Sequence, residues 1–310
     1  MFTSLFAIAL GVMIAFQTAI NVRLRQAVVS PFLASFVSLA VGAVALGVAT
    51  LVQGDSLLIS SEQIAASPWW SWIGGVLAMG GLTINILIFP RLGSVQTAVM
   101  PILGQVVTGV IIDTFGLFQS PQFALSWLRL AGVALVLFGI FVAIILPSLK
   151  AKSAVKNDEK SLLGWQLLGI FGGVLVGMTP AVNAALRHTL GSPLQSAFVP
   201  FFTAAVLLAL FVSLTEPLAW QRLATACHNT AFWQWTGGVL GAAYVFGIIL
   251  LVPLIGTGGA IIASLFGLIA GSLIIDQFGL LGATRKPINI WQILGLAILL
   301  SGIVVIQLSK

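Results

Sequence analysis

At 310 residues, 59% of them hydrophobic and only 6% charged, the chain is too apolar for a soluble globular domain, where about a quarter of residues carry charge. That composition fits a polytopic membrane protein. The net charge of +6 does not point to nucleic acid, because the 13 basic residues are scattered singly or through short connections instead of forming a patch with aromatics.

A membrane-crossing helix takes roughly 20 mostly apolar residues. The chain is apolar from Phe2 onward and lacks the basic leader of a cleaved signal, so 2–21 reads as the first span. Further windows follow at 31–52, 69–89, 93–113 and 126–147. The hydrophilic stretch Lys150–Lys160 reads as a linker, and five more windows lie at 162–183, 193–214, 233–252, 257–276 and 290–308. Pro31, Pro90, Pro193 and Pro253 stand at expected helix ends, where a missing backbone donor matters least. Tryptophans such as Trp69, Trp127, Trp233 and Trp291 also fall near the ends, as an interfacial aromatic belt does.

The two sets of five are copies of one another. Residues 11–37 align without a gap to 173–199, pairing Asn21 with Asn183, Arg25 with Arg187 and Ser30-Pro31 with Ser192-Pro193 at an offset of 162. Later the offset becomes 163, and the run Ile111–Leu117 (IIDTFGL) recurs at Ile274–Leu280 (IIDQFGL). A unit with an odd number of spans enters the membrane in opposite directions in its two copies, an arrangement common in secondary transporters. The expected fold is therefore all-α, with ten transmembrane helices as two inverted 5-helix repeats. The expected divisions are 1–149 for the first repeat, 150–160 for the linker and 161–310 for the second. Ten basic residues, among them Arg23, Arg25, Arg91 and the linker lysines, fall on one side, against Arg129, Arg187 and Lys310 on the other. The linker is thus expected in the cytoplasm and both termini outside.

Polar groups are costly in hydrocarbon, so each one within a span marks a candidate. Gln17, Asn21 and Arg25 recur every four residues along one face of the first helix, and Thr179, Asn183 and Arg187 do so on the sixth. Two readings stand. The asparagines end their helices while the arginines reach for lipid phosphates, or the two polar faces meet in a cavity and bind substrate. Asn85 and Gln105 are mid-span amides in the first copy only, their counterparts being Ile248 and Leu268, whereas the sole tyrosine, Tyr244, faces Gly81 in the repeat. A phenol at Tyr244 either bonds substrate or packs with an internal partner. Asp113 and Asp276 end their helices against the macrodipole. Each is read as a local cap or salt bridge, or as a gate that couples protons to transport alongside Arg25 and Arg187.

Catalytic patterns such as HExxH, GxSxG or a phosphate-binding glycine loop are missing from the sequence, so no enzyme activity is expected. Cys227 is the only cysteine, and His188 and His228 lie in different connections. Neither a disulfide, a metal centre nor a cofactor is expected.

The polar-ended first helix with Asn21, Leu24 and Arg25, the Ser-Pro entry to the second, the glycine-rich third helix and the run from Gly104-Gln105 to Leu117 resemble the YdcZ-type family of inner-membrane exporters. That family belongs to the drug/metabolite transporter superfamily, and this chain looks like its fused, two-domain antiparallel form. The resemblance implies a bacterial inner-membrane carrier built as one basket of ten helices, and it supplies no substrate. The chain departs from the pattern at Leu268, which lacks the glutamine, and at Gly81, which lacks the tyrosine. Small cation-exchanging relatives use a glutamate in the first helix, where this chain has Gln17 and Asn21.

The leading expectation is a secondary transporter or exporter of a small organic metabolite, working by alternating access. A non-transporting membrane scaffold or accessory subunit and a flippase for a lipid-linked substrate are the alternatives. The expected partners are a small-molecule substrate and the lipid bilayer, not nucleic acid. A self-complete basket is compatible with a monomer and does not exclude a dimer.

Overall fold

The structure is a computed structural model that describes residues 2–147 and 159–308. Most of the linker therefore lies outside the described residues, as does Lys310. Among the described residues, ten helices are long and apolar enough to cross a membrane. They are α1 (Phe2–Val28), α2 (Pro31–Val52), α3 (Gly74–Gly93), α4 (Gln96–Phe115) and α5 (Trp127–Ile145), then α6 (Glu159–Leu190), α7 (Pro193–Thr215), α8 (Gly237–Ile255), α9 (Thr257–Phe278) and α10 (Ile290–Leu308). Two short helices, Ser61–Ala66 and Ala219–Asn229, lie between the second and third spans of each half.

Local sequence sets the boundaries twice over. Ser30 and Ser192 cap α2 and α7, accepting from the Leu33 and Gln195 amides at 3.1 and 3.3 Å. Proline follows at the first helical position of each, where its fixed φ suits a helix start. Gly93 and Gly256 end α3 and α8 with φ of +74° and +79°. Only glycine takes that conformation without steric penalty, so the chain reverses there at matching points of the two repeats.

Two expectations need correction. The first and sixth windows were expected to end at 21 and 183, yet α1 runs on to Val28 and α6 to Leu190. The asparagines are therefore helix-interior residues and end nothing. Leu24 and Val28 pack into a buried cluster with Leu33 and Val212, and Leu186 and Leu190 pack into another with Val199. That burial carries both helices past their polar positions. The third window also starts late, because Trp69–Trp72 form a 3-10 turn before α3 begins at Gly74.

The halves interlock. The first helix of each half packs on the third and fourth of the other, α1 on α8 and α9, and α6 on α3 and α4. The second helices pair as α2 with α7, and the fifth as α5 with α10. Close approach is repeated to the residue. A side chain on Gly11 would strike the Ser264 carbonyl and one on Gly267 the Ile8 carbonyl, while Gly173 and Gly104 stand in the same relation to Pro101 and Ile170. Membrane helices pack through such contacts in place of a hydrophobic drive.

Candidate functional site

A cavity of about 600 Å³ lies between the two halves. α1 contributes Gln17 and Asn21, and α6 contributes Thr179 and Asn183. Asn85 comes from α3, Gln105 from α4 and Tyr244 from α8, so all seven polar residues expected at a binding site line this one space. Sequence spacing explains part of this convergence, because residues four apart share a helix face. The interlocked packing supplies the rest by turning those faces toward each other.

The cavity runs from the middle of the spans to one membrane end. Arg25 and Pro31 stand at its mouth, between the end of α1 and the start of α2. Asn21 donates through Nδ2 to Ser38 Oγ at 3.1 Å. The Tyr244 hydroxyl lies 3.4 Å from Ser264 Oγ, so the phenol has an internal partner and lines the cavity as well. Thr179 turns its hydroxyl onto the Leu175 carbonyl at 3.2 Å. The carbonyl oxygens of Asn21, Asn85 and Asn183 are buried and meet no donor among the described residues.

The other end is sealed. Asn183 is only 2% exposed, with its amide set against Gly74 just as that of Asn21 is set against Gly237. Beyond it, Leu186, Leu190 and Val199 pack with Ile59 and Trp72. The connection from α2 to α3 is tied down here, since Gln195 donates to the Ser56 carbonyl at 3.0 Å and Gln63 to that of Leu190 at 3.3 Å. Arg187 stands at this end and does not line the cavity.

Asp113 and Asp276 also stand apart from the cavity. Asp113, fully buried, pairs with Arg129 at 2.7 Å. Its two carboxylate oxygens accept from the Thr257 and Gly258 amides at 2.6 and 3.0 Å. The end of α4 thereby caps the start of α9, where free amides and the macrodipole favour an anion. Arg129 also donates to the Phe123 carbonyl at 3.1 Å and lies over the Phe123 ring. Asp276 occupies the matching position at the other membrane end, in a separate recess of about 420 Å³ with Arg23, Gln26 and Lys286. The repeat places Lys286 where the first copy has Phe123 and Gln292 where it has Arg129.

Arg129 falls inside the expected fifth window, where it counted only as a topology charge; it lies in the first turn of α5 and is 4% exposed. Its signal was faint: it is the one basic residue between Leu92 and Pro147, close enough along the chain to answer the buried Asp113. Ser38 and Ser35 were also passed over. Both lie on the α2 face that turns toward the cavity, and Ser35 lines it directly.

A family model described as "Putative inner membrane exporter, YdcZ" matches residues 2–142 and again 164–305. A protein of known crystal structure superposes with a TM-score of 0.71 at 17% sequence identity, over 99% of this chain and 96% of its own. At that identity the likeness concerns the fold alone. No curated protein sequence matches the chain.

Proposed function

The chain belongs to the YdcZ family of inner membrane exporters, and on that premise we propose that it is a secondary transporter that carries a small organic metabolite by alternating access. Its ten apolar helices and its family make it a multi-pass protein of the inner membrane. The observation that carries the reading is one cavity between two interlocked repeats, open at one membrane end and sealed at the other. In an inverted repeat the halves exchange conformations, so the sealed end opens as the open end seals. We take Gln17, Asn21, Asn85, Gln105, Thr179, Asn183 and Tyr244 as the substrate-facing groups, with Arg25 and Arg187 at the two gates.

Residues 1–149 and 161–310 act in this scheme as two moving units, joined by a cytoplasmic linker at 150–160, with both termini outside. The count of basic residues supports that orientation, which places the open mouth on the cytoplasmic side, as export requires. Asp113 serves here as a clasp between α4, α5 and α9, because its carboxylate is already engaged by Arg129 and two amides.

Flux in proteoliposomes of purified protein tests the proposal. Asn21→Ala or Asn183→Ala should abolish transport while leaving a folded, monodisperse protein. Unchanged flux in both variants sinks the assigned site, and a purified chain with no flux for any metabolite returns the scaffold reading. One feature favours the flippase alternative: α3 makes little contact with α1 and α2, and a lateral path for lipid needs helices that part. A labelled lipid-linked substrate in the same vesicles separates the two cargoes.

A further inference from the structure

The charge distribution around the central cavity narrows its cargo. Among the described residues no acidic side chain lines it, and the one charged group there is Arg25, exposed at the mouth. Much of the wall is apolar, with Ile14, Leu82, Val176 and Ile248 among its residues. The polar groups in its deeper part are all uncharged: the amides of Gln17, Asn85, Gln105 and Asn183, and the hydroxyls of Thr179 and Tyr244. Of its three asparagines, Asn21 and Asn183 set their carbonyl oxygens against Gly237 and Gly74, whereas that of Asn85 is buried and meets no donor among the described residues. A buried acceptor left unpaired is unfavourable, so a ligand that brings N–H or O–H groups is favoured at this site.

A cation in the cavity would find dipoles but no counter-charge, and a desolvated charge without a partner is strongly disfavoured. An anion would leave its only charged partner behind at Arg25 as it moved inward. An uncharged molecule with an apolar body and an amide or hydroxyl end meets neither penalty. Amides both donate and accept, so they match such groups in either orientation.

Building on the transporter reading, we infer that the cargo is an uncharged amphipath bearing amide or hydroxyl groups, of roughly 10–25 non-hydrogen atoms for a cavity of this size. The test uses matched triads in which one apolar skeleton (phenylpropyl, cyclohexylpropyl or indolylpropyl) carries a primary amide, an ammonium or a carboxylate. Each is titrated against the purified full chain, and binding is read from the rise in unfolding midpoint. The amide members are expected to bind at least about tenfold more tightly than their charged partners. Asn85→Asp sets a carboxylate into the wall at constant size and should move the preference to the ammonium members. Should that variant not fold, Gln105→Glu makes the same change from α4.

Equal or tighter binding of charged members to the unsubstituted protein overturns the inference. So does a carboxylate variant that keeps amide binding and gains none for ammonium. Silence across all triads overturns it too, and a total small-molecule extract of bacterial cells then decides what else falls. If the extract raises the midpoint, the transporter reading survives without this cargo class; if it does not, both fail.

Discussion

The same four repeat positions look different at the two membrane ends. At the sealed end Ala197, Phe201, Ala242 and Ile249 form one cluster, each at most 6% exposed. Their counterparts at the open end are Ser35, Leu39, Met79 and Ile86, all of them only partly buried; three of these line the cavity, as do Phe201 and Ile249 from the sealed set. Likewise α8 packs on both α6 and α7, whereas α3 barely meets α1 or α2. The scaffold is duplicated and the gate is not. On the alternating-access proposal that difference is what an open-ended state requires, because one end is sealed while the other is open. Composition adds a second asymmetry. Alanine and phenylalanine complete the sealed cluster, and a serine stands at the open one, its hydroxyl turned onto the Pro31 carbonyl at 2.8 Å.

The largest expected effect breaks that comparison at its most unequal pair, Arg129 and Gln292. Arg129→Gln copies the second repeat into the first and leaves the Asp113 carboxylate buried without its cation. Removing one partner of a buried ion pair costs about 3–5 kcal/mol. Unfolding of the detergent-solubilised variant by denaturant should show a loss of that order. Gln292→Leu, at the equivalent site, should change stability by less than about 1 kcal/mol, since it removes only a neutral cap bond to the Asn289 amide. Equal losses in the two variants would mean that the clasp is not specific to the sealed end.

A smaller effect separates open from sealed directly. Cys227 is exposed, so accessibility is read in a Cys227→Ser background. Ser35→Cys lines the cavity and should react with a water-soluble maleimide. Ala197→Cys, at the matching sealed position and fully buried, should react at least about tenfold more slowly, because labelling there waits for opening. A bound ligand that favours the other state should narrow the ratio or invert it. Equal rates without ligand would remove the asymmetry on which alternating access rests.

The sequence carried the scaffold plainly because membrane solvation writes it there: spans must be apolar, and the few polar residues inside them have reason to converge. Gln17, Asn85 and Tyr244 stand out in the sequence on that account alone. The full length of α1 and α6 was not legible, since Arg23, Arg25 and Gln26 look like a loop until Leu24 and Val28 find their cluster. Nor was the Asp113 clasp, which joins three helices through one carboxylate, two of its partners being backbone amides 144 and 145 residues away. The difference between the two ends was least visible of all. Both carry the same N-x-x-L-R and Ser-Pro signatures, so neither motif marks which end stands open.

Those shared signatures give the smallest and most symmetric prediction. Ser30 and Ser192 make the same cap at opposite ends, with hydroxyl-to-amide distances of 3.1 and 3.3 Å and proline next in each case. Loss of a serine cap typically costs about 1 kcal/mol. Ser30→Ala and Ser192→Ala should therefore lower stability by the same amount, although one lies beside the open mouth and the other beneath the sealed end. Each cap is local to its own helix start, so it should not register whether the neighbouring cavity is open. A difference of more than about 1 kcal/mol between the two variants would place the asymmetry in the scaffold itself and no longer in its conformational state.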